Sequence, residues 1–337
     1  GACGGGSGGR ATSGSGRPGT LQLWESDPVK SVLSPVLPWY ESGHEGMKVN
    51  LTEFGFEDLF AKLSVVTQAK QGVPDVVYME GLRYPKFAFQ RRLADMTAAV
   101  QPYLARYPTY EQELVRQADG RLYAFPSDIG PAPLWYKRDV LEREGVEPPT
   151  TWDDYLALGR KLKAKGIALH SLKAGGNGDT ATFLQLLAIQ NGANFFERDG
   201  KPVVDSPEFV EVLARVRAMI DGGMTLDVED FGQQWAKAWK DGKLATYMNG
   251  FWMLVVFPSL IGVEPGKDWG IGIAPLPTFA AGGARFSNNG DSLWCVPAGS
   301  QRVAEATELC RWLSTDARFG VHWLETGQIP AYTPNRD

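Results

Sequence analysis

"GRLYAFPSDIGPAPLWYKRDVLEREGVEPPTTWDDYLALGRKL", residues 120–162, decides the fold class. Residues 120–126 read as a strand closed by Pro126, because proline cannot donate to a ladder. "APLWYKRDVLEREGV" reads as a strand feeding a helix. "PPTTWDDYLALGRKL" has the chemistry of a helix start, with prolines ahead, Thr151 as N-cap and Asp153 and Asp154 in the first turn.

Upstream the same alternation recurs. "TLQLW" is a β-rich strand running into "ESDP", and residues 29–42 are helix-like with an irregular start at Pro35 and Pro38. "MKVNLTEF" alternates as a strand, while "FEDLFAKLSVVTQAKQG" puts Phe56, Leu59, Phe60 and Leu63 on one helical face and stops at Gly72. "PDVVYM" is a third short strand. This β–α–β–α–β order predicts an α/β fold with a parallel sheet and right-handed crossovers. Downstream come the strand "IALHSL", the helices "TATFLQLLAIQNG", "SPEFVEVLARVRAMIDGG" and "FGQQWAKAWKDGK", and the stretch "GKLATYMNGFW". "DWGIGIAPLP", "DSLWCVP" and the helix "RVAEATELCRWLS" follow.

A chain of 337 residues is long for one core and suggests two lobes. Its net charge of −5 and lack of a basic stripe argue against a nucleic-acid partner. No apolar run of about 18 residues is present to span a membrane. With three His, three Cys and no CxxC or HExxH spacing, no metal and no cofactor is expected. Cys295 and Cys310 fit either a strand–helix disulfide or two buried thiols. The 11 tryptophans are expected mostly in cores, with one to three lining a site, and aromatic faces suit sugar C–H groups.

Residues 1–20 are rich in Gly and Ser and read as a tether. "GGSGG" and "GSGRPG" formally match GxSxG and GxGxxG, but neither follows a strand or opens a helix, so neither has the mechanics of its motif. Cys3, after Gly1 and Ala2, resembles the lipidated cysteine of a bacterial lipoprotein whose signal peptide has been cleaved. The alternative is an exposed thiol.

Residues 120–162, "GKLATYMNGFW" and, more weakly, "PDVVYM", "APLPTF" and "VAEATELCRWLSTD" together resemble the bacterial extracellular solute-binding proteins of the carbohydrate class, family 1, whose best-known member is the maltodextrin-binding protein. Lys137 stands where that family usually has Asn. The resemblance covers about residues 21–337. It implies a two-lobed periplasmic-binding-protein type II (Venus-flytrap) fold whose lobes close on ligand. It also implies an ABC permease as partner and an extracytoplasmic or periplasmic, lipid-anchored monomer. Lobe 1 is expected at 21–126 plus about 254–297, and lobe 2 at 127–253 plus about 298–337, with crossings near 125–133, 275–277 and 297–299. Pro126, Gly130, Pro131 and Pro133 suit a hinge. Family members usually continue past "GQIPAY", so the carboxyl end is expected to be truncated.

Ligands of parallel α/β sheets sit at the C-terminal ends of strands. That rule selects Trp24, Glu25, Ser26 and Asp27 after the first strand, Glu80 and Arg83 after the third, and Asp128 after Pro126. It also selects Asn177, Asp179 and Thr180 in the Gly-rich loop, Asn249 and Trp252 after "LATYM", and Asn288 and Asp291 in "SNNGD". Carboxylates and amides suit hydroxyls, and a ring supplies a stacking face. Each has a structural alternative: core packing for Trp24, a surface ion pair for Arg83, helix caps for the acids. Trp252 is the leading candidate. The expected function is reversible capture of a sugar or oligosaccharide for an importer. A polyol, a glycerophosphodiester or an organic anion on the same fold is an alternative. A carbohydrate-active enzyme is a further one, disfavoured because Glu111/Glu113 lie in a polar helix and Asp153/Asp154 in a helix's N-terminal turn, where acids have a structural reason.

Overall fold

The computed structural model describes residues 18–26, 30–175, 178–196, 201–264 and 267–336. The chain forms two compact units: unit 1 comprises the chain up to Ser127, Ser292–His322 and the end from Ala331, and unit 2 comprises Asp128–Asp291 and Trp323–Pro330.

Unit 1 begins with β1 (Gly19–Ser26), α1 (Lys30–Leu33), α2 (Leu37–Gly43), β2 (Met47–Phe54), α3 (Phe56–Ala69) and β3 (Val76–Glu80). Pro35 separates the first two helices, and Pro38 lies in the first turn of α2, where no amide hydrogen is needed. β1 pairs in parallel with both β2 and β3, as the crossover helices require. Leu21 and Leu23, two apart on one face of β1, are completely buried. Three short helices follow, α4 (Tyr84–Phe89), α5 (Thr97–Val100) and α6 (Thr109–Val115), before β4 (Ala124–Ile129) carries the chain out of the unit.

Unit 2 opens with β5 (Pro131–Ala132), β6 (Leu134–Lys137), α7 (Arg138–Glu144) and α8 (Trp152–Lys163). Thr151 caps α8 in a reciprocal box: its hydroxyl accepts the Asp154 amide at 3.1 Å and the Asp154 carboxylate accepts the Thr151 amide at 3.2 Å. Next come β7 (His170–Ser171), α9 (Gly178–Gln190), α10 (Pro207–Asp221), β8 (Thr225–Leu226), α11 (Gln233–Lys240), β9 (Thr246–Met248), α12 (Met253–Leu260), β10 (Ile271–Ala274) and β11 (Ser287–Asn288). β6 lies between β9 and β10, antiparallel to both. Trp135, Trp235, Trp239 and Phe257 form an aromatic core on one side of this sheet. A second core gathers Trp152, Tyr155 and Leu162 with Leu186 and Val212.

The chain then re-enters unit 1 with β12 (Ser292–Cys295), which pairs antiparallel with β3, and α13 (Val303–Thr315). α14 (Ala317–Glu325) carries it back to unit 2, where β13 (Ile329–Pro330) pairs with Asp128 and Ile129 of β4.

These boundaries correct the expected lobe assignment. Residues 254–291 belong to unit 2, because β10 pairs with β6 and Phe257 packs 5.2 Å from Trp235 and 5.0 Å from Trp239. Residues 298–322 belong to unit 1, where Trp312 packs 5.5 Å from Tyr40 and Ser314 hydrogen-bonds Tyr107 at 2.8 Å. The prolines at 275–277 lie inside unit 2, and the later crossing follows Asp291 rather than lying at 297–299. Cys295 and Cys310 are buried free thiols. The tether 1–20, apart from residues 18–20, lies outside the described residues, as does Cys3.

His170 sits at the centre of unit 2, about 1% exposed, between the rings of Phe183 and Tyr247. Its Nδ1 donates to the Ser171 carbonyl at 2.6 Å and its Nε2 accepts the Met248 amide at 3.2 Å, a pattern available only to the neutral ring. Burial lowers its pKa from 6.5 to about 4. Between those two values the unfolded chain binds the proton and the folded chain does not, so stability rises with pH through the window and is lost as pH falls through it.

Two predictions follow from unit 2. Thr151→Ala is expected to cost about 1 kcal/mol in urea unfolding, with Thr151→Ser restoring most of it. Between pH 6.5 and 4 the wild type is expected to lose on the order of 3 kcal/mol more stability than His170→Asn. Parallel stability–pH curves for the two proteins would refute the assignment.

Candidate functional site

Three segments of unit 2 converge at the C-terminal end of β9. They are the Gly130–Ala132 segment, the Asn249–Trp252 turn and the Asn288–Asp291 turn. β5 and β11 pair antiparallel, with Ser287 opposite Ala132 and Asn288 opposite Pro131, which brings the first and third together. The Asn289 amide donates to the Gly130 carbonyl at 2.7 Å, and the Gly130 amide donates to Asp291 Oδ1 at 3.0 Å. The Phe251 amide donates to the Pro131 carbonyl at 3.0 Å and ties in the second segment.

Glycine at three positions permits this convergence. A Cβ on Gly130 would lie 2.2 Å from the Asn289 carbonyl oxygen, and one on Gly250 would lie 2.1 Å from the same atom. A Cβ on Gly290, which has φ +111°, would lie 2.6 Å from the Trp252 indole. Gly130 is a point of close approach: the Asn289 carbonyl leaves no room there for a side chain.

Trp252 stands at the centre. Its indole Nε1 donates to the Asn289 carbonyl at 3.2 Å, and its Cδ1–Nε1 edge lies over Gly250 and Gly290. Phe231 packs 5.7 Å away. The ring is partly exposed, unlike Trp135, Trp152, Trp235, Trp239, Trp294 and Trp323, which are fully buried. The abundance of tryptophan is thus mainly a core property.

Asn249 is 5% exposed and its side chain is used internally. Its Oδ1 accepts from the Gly250 amide at 2.7 Å and from Asn289 Nδ2 at 2.6 Å, while its Nδ2 donates to the Tyr247 hydroxyl at 3.2 Å. Its carbonyl accepts the Trp135 indole at 2.9 Å. Asn249 shapes the turn. Asn288 donates to Asp291, which is 8% exposed.

The unit 1 candidates form their own group. β1 and β3 are neighbouring parallel strands, so Trp24, Glu25, Ser26 and Glu80 lie at the same, C-terminal end of the pair. Trp24 is 8% exposed, packed 4.9 Å from Phe54 with the Lys62 ammonium 5.1 Å over its ring. That is a packing environment. Glu25 and Ser26 are buried beside it. Arg83 pairs with Glu57 at 2.6 Å and Glu80 at 3.7 Å and lies over Phe56 and Phe60, which fits its surface-pair alternative.

Asp128 is 3% exposed, at the start of unit 2. Thr180 is partly exposed in the first turn of α9. Asp27, Asn177 and the side chain of Asp179 lie outside the described residues. Among the described residues no cluster of three or more His, Cys, Asp or Glu could hold a metal, and no helix is long and apolar enough to cross a membrane.

The sequence rules passed over Asn289, Tyr247 and Asp230. Asn289 lies inside "SNNGD", between two selected residues, and a strand-end rule that names side chains does not see a main-chain carbonyl acting as acceptor. Tyr247 falls inside β9, and Asp230 follows β8 (Thr225–Leu226), a two-residue strand outside those read from periodicity.

Residues 25–317 match the model of the family described as bacterial extracellular solute-binding protein. The chain is 27% identical over 270 residues to an arabinooligosaccharide-binding protein of Bacillus subtilis, covering 78% of this chain and 60% of that one. It is 22% identical over 299 residues to a lactose-binding protein of Rhizobium radiobacter, covering 86% and 68%. Its fold matches the ABC transporter associated binding protein from B. animalis subsp. lactis in complex with beta-1,6-galactobiose. The TM-score is 0.77 at 24% identity, with 94% and 76% of the two chains covered. The parallel β1–β2–β3 sheet, the two-unit organisation and this match over most of its length agree: the chain belongs to the bacterial extracellular solute-binding protein family.

Proposed function

We propose that this chain is the substrate-binding component of an ABC importer, that it captures a sugar or oligosaccharide, and that it hands the ligand unaltered to a membrane permease. The observation that carries the proposal is Trp252. A partly exposed indole is fixed by its own N–H to the Asn289 carbonyl, with amides and a carboxylate beside it. A fixed aromatic face costs little further entropy on binding and offers the C–H surface of a pyranose or furanose a place to stack, while hydroxyls take polar partners. The relatives named for arabinooligosaccharide and lactose binding support the same ligand class. The chain spans 60% and 58% of the length of two arabinooligosaccharide-binding relatives, so contacts made by the rest of such proteins add to this proposal rather than follow from it. In this reading the protein works outside the cytoplasmic membrane, as a monomer held by a lipid on Cys3.

A thermal-shift screen against arabino-oligosaccharides, lactose and maltooligosaccharides, with polyols, glycerophosphodiesters and organic anions alongside, tests the ligand class. A sugar at 100 times its Kd is expected to stabilise the fold by about 2.7 kcal/mol. A response to another solute class alone, or release of hydrolysis products from the sugars, would overturn the proposal. Trp252→Ala is expected to weaken the binding of the responding sugar by about 1 kcal/mol, roughly fivefold in Kd. Equal affinity would remove Trp252 from the ligand's surface.

A further inference from the structure

Beneath Trp252 runs a chain of hydrogen bonds that points one way. The Trp252 indole donates to the Asn289 carbonyl at 3.2 Å, and Asn289 Nδ2 donates to Asn249 Oδ1 at 2.6 Å. Asn249 Nδ2 donates to the Tyr247 hydroxyl oxygen at 3.2 Å, and the Tyr247 hydroxyl donates to Asp230 Oδ2 at 2.9 Å. From the other side the Trp235 indole donates to Ser171 Oγ at 3.1 Å, and Ser171 Oγ donates to Asp230 Oδ1. Two branches, each starting at an indole N–H, end on one carboxylate.

We infer that Asp230 is a positioning residue for the ligand-stacking ring, acting on Trp252 through Tyr247, Asn249 and Asn289. The argument is one of donor and acceptor counting. An ionised carboxylate only accepts, so Ser171 and Tyr247 must both spend their hydroxyl hydrogens on Asp230. The Tyr247 oxygen is then left to accept, and the residue facing it, Asn249, must present its NH2. The Gly250 amide, which can only donate, requires the same orientation from the other side, and Asn249 Oδ1 faces it and Asn289 Nδ2. The Asn289 turn is held in turn by its own amide on the Gly130 carbonyl, and its carbonyl is left directed at Trp252. A charged terminus strengthens the bond made to it, and the step from the Asn289 side chain to its carbonyl is positional, through the residue's own covalent frame.

The backbone beside Asp230 is consistent with a fixed post. Phe231 adopts φ +63°, a conformation that costs a non-glycine residue energy. In that conformation its ring meets Trp235 at 5.4 Å, Trp252 at 5.7 Å and Tyr247 at 6.1 Å, covering both branches.

The inference rests on the sugar-binding reading for its role, and its test has a readout that does not. In the ligand-free protein, the Trp252 indole 1H–15N resonance, identified by its loss in Trp252→Phe, is expected to shift or broaden in Asp230→Asn and in Tyr247→Phe. The Trp152 indole, in the other core, is expected to stay in place. Ser171→Ala, which cuts the other branch, is expected to move the Trp235 indole more than that of Trp252. With a sugar identified in the screen, Asp230→Asn and Tyr247→Phe are each expected to weaken binding several-fold in the wild-type background and not further in Trp252→Ala. An unmoved Trp252 resonance in both variants overturns the relay. So does an equal loss of affinity with and without the Trp252 ring. If no sugar binds the wild type, the proposed function fails while the resonance still tests the positioning.

Discussion

The register of one four-residue strand, Leu134–Lys137, organises unit 2. It pairs antiparallel with β9, Leu134 opposite Met248, and with β10, Leu134 opposite Ala274, so both its edges are taken by segments more than a hundred residues further along the chain. The side chains of a strand alternate, and a slip by one residue would send Trp135 to the opposite face. In the observed register Trp135 is completely buried and its indole reaches the carbonyl of Asn249, the residue after β9. The strand thereby fixes where β9 ends and where the turn bearing Trp252 begins.

From that turn outward the determining forces are steric and polar rather than hydrophobic. Gly130, Gly250 and Gly290 remove side-chain bulk where three backbones meet, and the Asn289 carbonyl, at the meeting point, takes the indole N–H. A buried amide such as Asn249 is tolerable because its donor and acceptor are both used. A site assembled in this way is stiff before any ligand arrives.

Much of the architecture was legible in the sequence. The β–α–β–α–β order of residues 20–80 reads directly from periodicity, and the parallel β1–β2 and β1–β3 pairs follow from it because a crossover helix separates each strand from the next. The Thr151 cap was readable because capping depends on residues three apart. The lobe boundaries were not. Whether residues 271–274 join one unit or the other depends on which strand edge is open to them, and no local pattern encodes that. The candidate site divided along the same line. Trp252, chosen by its motif and its place after a strand, is partly exposed, whereas Trp24, chosen by the same rule, is packed against Phe54 and Lys62.

By itself the sequence determined most of the longer strands and helices (though not α4, α5, α12 or α14, nor the run of β4 through Pro126), that the chain makes an α/β fold of the solute-binding kind, and that an aromatic residue lies just beyond β9. Those properties depend on hydrophobic period, caps and turn residues, all set by neighbours along the chain. Only the tertiary structure decided that Asn249 is spent on scaffolding, that Asn289 contributes through its backbone, and that Asp230 stands at the end of a polar chain reaching Trp252. Those assignments depend on residues 17 to 40 positions apart meeting within hydrogen-bond distance. Such meetings follow from strand register and from the space three glycines leave open, neither of which is written in any short stretch of the sequence.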